Sequence, residues 1–391
     1  MEKTPLAFRT HISIFGNTNA GKSSLFNAII GQDMAVVSDK KGTTTDPVTK
    51  AMELIPYGPV AITDTAGMGD LSEIGDKRME KTKKILNSTD FAIYAADYQD
   101  FDPTAYEAMK VEFEKRKISH MLVFTKCDDA DFHSEKYPDT ISVSVNKPQT
   151  IERLLSLIQE KLSTLKGEDV TMIGSLLPKG STVVLVVPID SEAPKGRLIL
   201  PQVQFLRDCL DHGMKTLVVR DTELEEALLE VKADLVVTDS QIFAQVNKIV
   251  PENIMLTSFS MMMASMKGDL KILSEGASAI ESLTDNSRIL MAEACTHNVS
   301  HEDIGRKKIP ALLKKYTGKN LVFDYYVHQD FPENITDYDL VIHCGGCMLN
   351  SRSFCNRMSF CKENGVPITN YGVVLAYVNG ILERSKKVFG I

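Results

Sequence analysis

Gly16-Asn17-Thr18-Asn19-Ala20-Gly21-Lys22-Ser23 decides the fold of the first part of this chain. An apolar run, Ile12 to Phe15, leads into it as a strand, and Ser23 to Ile30 follows as a helix. A GxxxxGKS segment between a strand and a helix reads as a phosphate-binding loop. Gly16 and Gly21 let backbone amides turn inward around phosphate oxygens. Lys22 reaches the outer phosphates as a point charge, and the Ser23 hydroxyl is placed to ligate magnesium. Asn17, Thr18, Asn19, Ala20 and Ser24 complete the expected lining.

Outward from this loop the chain alternates strands and helices. Val60 to Thr63, Phe91 to Ala96 and Met121 to Phe124 are short apolar runs of the kind that form buried parallel strands. Helices fit Glu73 to Asn87, Thr104 to Arg116 and Thr150 to Leu165, the last with Ile151, Leu154, Leu155 and Ile158 at helical spacing. The reading is a doubly wound α/β domain over residues 1–168, ending at the linker-like Lys166-Gly167-Glu168-Asp169.

Four further segments lie at strand ends or between them. Asp64-Thr65-Ala66-Gly67 places Asp64 in the magnesium shell and the Gly67 amide at a γ-phosphate. Gly42-Thr43-Thr44-Thr45-Asp46 reads as a switch loop with Thr44 on magnesium. Thr125-Lys126-Cys127-Asp128 offers a carboxylate that accepts both N1–H and N2–H of guanine, a donor pair adenine lacks; Ser144-Val145 adds a base-contacting loop. Together they read as a GTPase domain using GTP and Mg2+, with Lys22, Thr44, Asp64 and Gly67 as the catalytic set.

These details resemble the GTPase subgroup that includes TrmE and Era. The resemblance implies that Asn19 ligates a potassium ion, sitting where an arginine finger would supply positive charge. Met68 stands where Ras-like proteins keep a water-orienting glutamine, so slow, potassium-stimulated hydrolysis is implied. Thr125 departs from the asparagine of NKxD, and Thr45 from the arginine common after the switch threonine.

Beyond the linker the alternation continues on a smaller scale. Thr182 to Pro188, Leu217 to Arg220 and Leu235 to Thr238 read as strands, and Leu200 to Leu210, capped by Gly213, and Glu223 to Val231 as helices. Residues 169–262 form a small α/β domain with a self-association role; Thr182 to Pro188 fits an exposed edge or a central strand equally. In residues 263–391, strands are expected at Arg288 to Glu293, Leu321 to Val327 and Asp339 to Ile342, and one terminal helix at Val373 to Arg384. Met261, Met262, Met263 and Met266 read as core filler rather than thioether ligands.

The 391 residues, 43% hydrophobic and 25% charged, have ordinary globular composition. A net charge of −8 gives no electrostatic case for nucleic acid. No opening signal peptide and no run long enough to span a bilayer are visible, so the expectation is a cytoplasmic protein with reduced thiols and no membrane partner.

The seven cysteines are concentrated late in the chain. Cys295-x-His297 closes one expected strand and His343-Cys344-x-x-Cys347 another, and loops after the C-terminal ends of parallel strands converge on one rim. Gly345 and Gly346 let backbone N–H groups approach the sulfurs. Three readings stay open from the residues: a structural zinc site, a redox dithiol, and an iron–sulfur cluster on Cys295, Cys344 and Cys347. Cys127, Cys209, Cys355 and Cys361 read as packing or surface thiols, His328 as a satisfied polar residue, and His301 as a weaker site candidate.

A GTPase domain of this subgroup, a middle α/β domain and a terminal CxH…HCxxC resemble, over the whole chain, the HydF family of [FeFe]-hydrogenase maturation GTPases. The resemblance implies a [4Fe–4S] cluster on Cys295, Cys344 and Cys347, with His297 or His343 as a possible exchangeable fourth ligand. It also implies a homodimer joined through the middle domain. The protein would accept a diiron precursor made with two radical-SAM maturases and deliver it to apo-[FeFe]-hydrogenase. The competing reading is an RNA-modification or ribosome-assembly GTPase with a zinc-stabilised tail.

Overall fold

The computed structural model describes residues 4–31, 47–65, 76–128, 136–137, 140–165, 171–189, 196, 198–294, 304–328 and 330–391. They divide into two compact units, Met1–Asp169 and Val170–Ile391. In the first unit the strands are β1 (Thr10–Phe15), β2 (Val48–Leu54), β3 (Gly58–Asp64), β4 (Phe91–Asp97), β5 (Ser119–Thr125) and β6 (Ile141–Ser142). Their order is β2-β3-β1-β4-β5-β6, parallel except for β2. β2 and β6 are absent from the sequence expectations: β2 carries exposed and charged residues on an antiparallel edge, and β6 is two residues long.

The apolar runs are continuous because successive residues enter opposite faces of this sheet. Ile12, Ile14, Ile93 and Val123 pack with Ile151, Leu154, Ile158 and Leu162 of the helix Pro148–Leu165. Phe15, Tyr94, Leu122 and Phe124 pack on the other side with Leu86, Met109 and Phe113. β1 neighbours β3 on one side and β4 on the other, so the phosphate loop leaves the sheet where its winding reverses, a rim favoured for ligands.

The second unit holds β7 (Thr182–Val186), β8 (Lys215–Val219), β9 (Leu235–Thr238) and β10 (Met255–Ser258), ordered β10-β9-β7-β8. It also holds β11 (Arg288–Glu293), β12 (Val322–Val327), β13 (Leu340–His343) and β14 (Ile368–Asn370), ordered β12-β11-β13-β14. Both sheets are parallel. β7 is central, which settles the choice left open for Thr182 to Pro188; β8 and β10 are the edges. One core joins the two sheets: Val184, Val236 and Leu256 belong to the same buried cluster as Leu290, Val341 and Val373.

Met261, Met262 and Met263 are fully buried in the helix Phe259–Lys267, as core filler should be. The single terminal helix expected at Val373 to Arg384 is two, Tyr371–Val378 and Leu382–Lys386. Gly380 between them sits at φ 70°, a left-handed turn that glycine adopts without a Cβ clash. Among the described residues no helix is long and apolar enough to cross a membrane.

Candidate functional site

The phosphate loop is shaped by two glycines and a lysine. Gly16 has φ 140°, and a Cβ there would lie 2.0 Å from the Ala95 carbonyl oxygen on β4. Gly21 takes the left-handed conformation, φ 79°, at the N-terminus of the helix Lys22–Ile30. Lys22 is buried, and its ammonium donates to the carbonyls of Gly16 (2.7 Å) and Asn17 (2.6 Å). The loop therefore curls around its own lysine at the N-terminus of the helix Lys22–Ile30, a position where an anion is favoured. Asn19 sits at φ 62°.

Ser23 Oγ donates to Asp64 Oδ2 at 2.6 Å, bringing together the two side chains expected on magnesium. Asp64 Oδ1 is buried with no hydrogen-bond partner among the described residues. An unpaired buried carboxylate oxygen is costly unless something cationic meets it, and a hydroxyl–carboxylate pair suits Mg2+. Thr44 and Gly67 lie outside the described residues, as do Thr45, Ala66 and Met68.

Thr125, which stands in place of the NKxD asparagine, ties local elements together. Its hydroxyl lies 2.7 Å from the Ala20 carbonyl and 3.1 Å from the Ala96 carbonyl, tying the end of β5 to the phosphate loop and to β4. Lys126, at φ 59°, pairs with Asp97 at 2.6 Å. Burial raises the Asp97 pKa, and the bonds from Lys126 and the Gln99 amide outweigh it and leave it lowered.

Asp128 Oδ1 accepts from Ser144 Oγ and, at 3.0 Å, from Asn146 Nδ2. Those two bonds, Ser144 first, hold its pKa below the usual carboxylate value, so it is an acceptor at neutral pH. Ser144 is buried and Val145 exposed. Asn146 and Asp97 carry no signal in the sequence because each is one of many polar residues at strand ends and in loops until the fold places it. Cys127 is buried with its thiol directed at the Phe124 and Thr125 carbonyls, and Cys209 is buried in the second unit.

In the second unit β11 lies between β12 and β13, so the winding reverses between β11 and β13. Ala292 pairs with His343 across that gap. The end of β11 at Glu293, followed by Ala294, and the start of the Cys344–Cys347 turn thus lie side by side at the sheet's rim. The Cys344 sulfur accepts the Ala294 N–H at 3.1 Å and the Gly346 N–H at 3.4 Å. Burial pushes its pKa up to about 11, against the pull of those two amides. Gly346 sits at φ 63°, and a Cβ there would press within 3.1 Å of the Phe354 ring. Cys295, His297 and His301 lie outside the described residues; among those described, no group of three His, Cys, Asp or Glu side chains assembles.

His343 is fully buried, and protein atoms engage both its nitrogens. Arg357 donates to Nε2 at 2.9 Å, and Nδ1 lies 2.8 Å from the Cys344 carbonyl oxygen. Burial and the neighbouring guanidinium push its pKa down to about 3. Phe354 meets its ring edge-on at 4.8 Å. Arg357 also donates to the His328 carbonyl at 2.7 Å. Cys355 is exposed and Cys361 buried.

Two buried cations, Lys267 and Arg357, border this turn, and backbone amides point at a thiol. That donor set fits an anionic thiolate cluster: amide hydrogen bonds and nearby positive charge stabilise such a group. Neither cation carried a signal in the sequence: Lys267 ends a methionine-rich helix far before the cysteines, and Arg357 is one of several polar residues on the helix Ser351–Glu363 that follows them.

Comparisons with known proteins agree with this division of labour. Residues 11–126 match the family model described as 50S ribosome-binding GTPase. Residues 172–268 match the hydrogen maturase F dimerization domain, and 271–388 the hydrogen maturase F tetramerization domain. The tRNA modification GTPase MnmE of Leptospira biflexa is 29% identical over 164 residues, 39% of this chain and 35% of its own. GTPase Der of Wolinella succinogenes is 40% identical over 100 residues, 25% of this chain and 21% of its own. The chain thus spans about a third or less of the length of these relatives. The solved G domain of T. maritima FeoB is 22% identical, covering 39% of this chain and 98% of its own, with a TM-score of 0.30. The two hydrogen maturase F matches together cover more than half of the 391 residues, and a GTPase domain precedes them. The chain belongs to the hydrogen maturase F family.

Proposed function

We propose that this protein is a GTP-hydrolysing carrier that holds a [4Fe–4S] cluster on Cys295, Cys344 and Cys347. It serves as scaffold for the diiron precursor of [FeFe]-hydrogenase, receiving it with the help of two radical-SAM maturases and handing it to the apo-enzyme. The observation that carries the reading is the convergence of the Ala294 and Gly346 amides on the Cys344 sulfur at a sheet's winding reversal. When bound, the cluster supplies an iron site able to hold a further ligand. With His343 engaged by Arg357 and its own chain, the fourth position falls to His297 or to a group from outside.

The GTPase unit gates partners. GTP and Mg2+ meet Lys22, Ser23 and Asp64, with Thr44 and Gly67 closing over the γ-phosphate and Asp128 reading guanine. Asn19 holds K+, which stimulates turnover. A loop that orders with GTP and loosens with GDP is suited to controlling docking rather than metal chemistry. Self-association through the two maturase domains gives a homodimer at least.

Two experiments test this. Mixed with apo-hydrogenase and the two maturases, the wild-type chain is expected to restore hydrogen evolution, and a Cys344→Ser/Cys347→Ser variant is not; equal activation by both excludes the carrier role. For the gate, a Lys22→Ala chain that still released its partners normally on adding nucleotide would exclude the nucleotide-controlled step.

A further inference from the structure

Lys267 is the last residue of the helix Phe259–Lys267 and is 2% exposed. Its ammonium donates to three carbonyl oxygens of the cysteine turn: Leu349 at 2.6 Å, Gly346 at 2.9 Å and Cys347 at 3.3 Å. An ammonium has three N–H donors, so one side chain gathers three peptide groups of a single loop. Peptide planarity then fixes the other side. With the Gly346 and Cys347 carbonyls turned to the lysine, the N–H groups of Cys347 and Met348 face away from it.

The charge matters as much as the geometry. Taking an ammonium out of water is costly unless a counter-charge and full hydrogen bonding offset it. Thiolates carrying an iron–sulfur cluster supply such charge. The contact also crosses a boundary: Lys267 lies within the residues matching the dimerization domain, and the turn within those matching the tetramerization domain.

We infer that Lys267 is a positioning residue for the cluster, holding the Cys344–Cys347 turn in the form that accepts it and balancing its negative charge. This rests on the cluster-carrier reading above.

The test compares wild type, Lys267→Arg and Lys267→Met after anaerobic reconstitution. Iron and sulfide content, the rate of iron loss to a chelator, and the midpoint potential by EPR-monitored titration are read on each, with circular dichroism and GTP binding reporting the fold. Lys267→Met is expected to lose iron about ten-fold faster or more, with a potential shifted negative because the reduced, more anionic cluster lacks its counter-charge. Lys267→Arg, with its charge kept, should stay closer to wild type in potential. A Met variant matching wild type in both rate and potential overturns the inference and leaves the carrier intact. A wild type that takes up no iron and sulfide removes the carrier reading itself. Should the Met variant be unfolded, Lys267→Gln keeps two N–H donors on a shorter side chain and removes the charge; an unchanged potential in it overturns the inference equally.

Discussion

Arg357 donates to Nε2 of His343 at 2.9 Å, and the opposite nitrogen of that ring lies 2.8 Å from the Cys344 carbonyl. A guanidinium can only donate, so Nε2 is the acceptor and the proton sits on Nδ1. The ring is a neutral strut between a buried cation and the cysteine turn. His343→Gln is therefore expected to cost about 1–3 kcal/mol of stability through mispaired buried groups, read as a lower unfolding midpoint. The EPR line shape of its reduced cluster should match wild type. A changed line shape in His343→Gln, with His297→Ala silent, would return the fourth ligand to His343.

Thr125 fastens the phosphate loop to the sheet through the Ala20 and Ala96 carbonyls. Thr125→Val keeps the shape and removes the donor, leaving both buried carbonyls without it. A loss of about 1–3 kcal/mol in the stability of the first unit is expected. GDP release, followed with a fluorescent analogue, should quicken. Unchanged melting and release would show that the hydroxyl ties nothing together.

Asp128 is an ionised acceptor held by Ser144 and Asn146, and the proposal gives it the guanine base to read. Asp128→Asn replaces one acceptor oxygen with a donor. GTP affinity is expected to fall by at least about 100-fold, since a site built for a donor pair rejects a mismatch strongly. Xanthosine triphosphate, which offers an acceptor in place of the 2-amino group, should bind the variant better than the wild type does. Equal GTP affinity in both proteins would remove Asp128 from base recognition.

Gly16 has neither the backbone angle nor the room for a side chain: φ is 140° and a Cβ would meet the Ala95 carbonyl. Gly16→Ala should strain the loop by about 1–3 kcal/mol and abolish measurable GTP binding by calorimetry, while circular dichroism stays close to wild type. Binding at wild-type affinity would mean that β4 yields to the methyl group.

The phosphate loop, the central strands and the long amphipathic helices were legible because each depends on local pattern: glycines at fixed spacing, apolar runs and the 3.6-residue period. β2, β6, β10 and β14 were not, being short or half-exposed, with strand pairing that comes from across the sheet. The split after Val378 hides in a Gly380 that composition does not distinguish from a capping glycine. At the cysteine site the thiols were legible from CxxC spacing, whereas Lys267 and Arg357 became visible only when folding set the distant helix Phe259–Lys267 and the following helix Ser351–Glu363 against one turn. His343 shows the limit most clearly: spacing makes it a ligand candidate, and burial beside Arg357 makes it a strut.

The measurement that tests the account most directly is iron, sulfide and zinc content, with EPR, on anaerobically reconstituted wild type beside the Cys344→Ser/Cys347→Ser variant. The account predicts about four irons and four sulfides per chain in the wild type, a reducible EPR-active cluster, and loss of both in the variant. Zinc at about one per chain with no reducible cluster would contradict it and make the terminal cysteines a structural clasp.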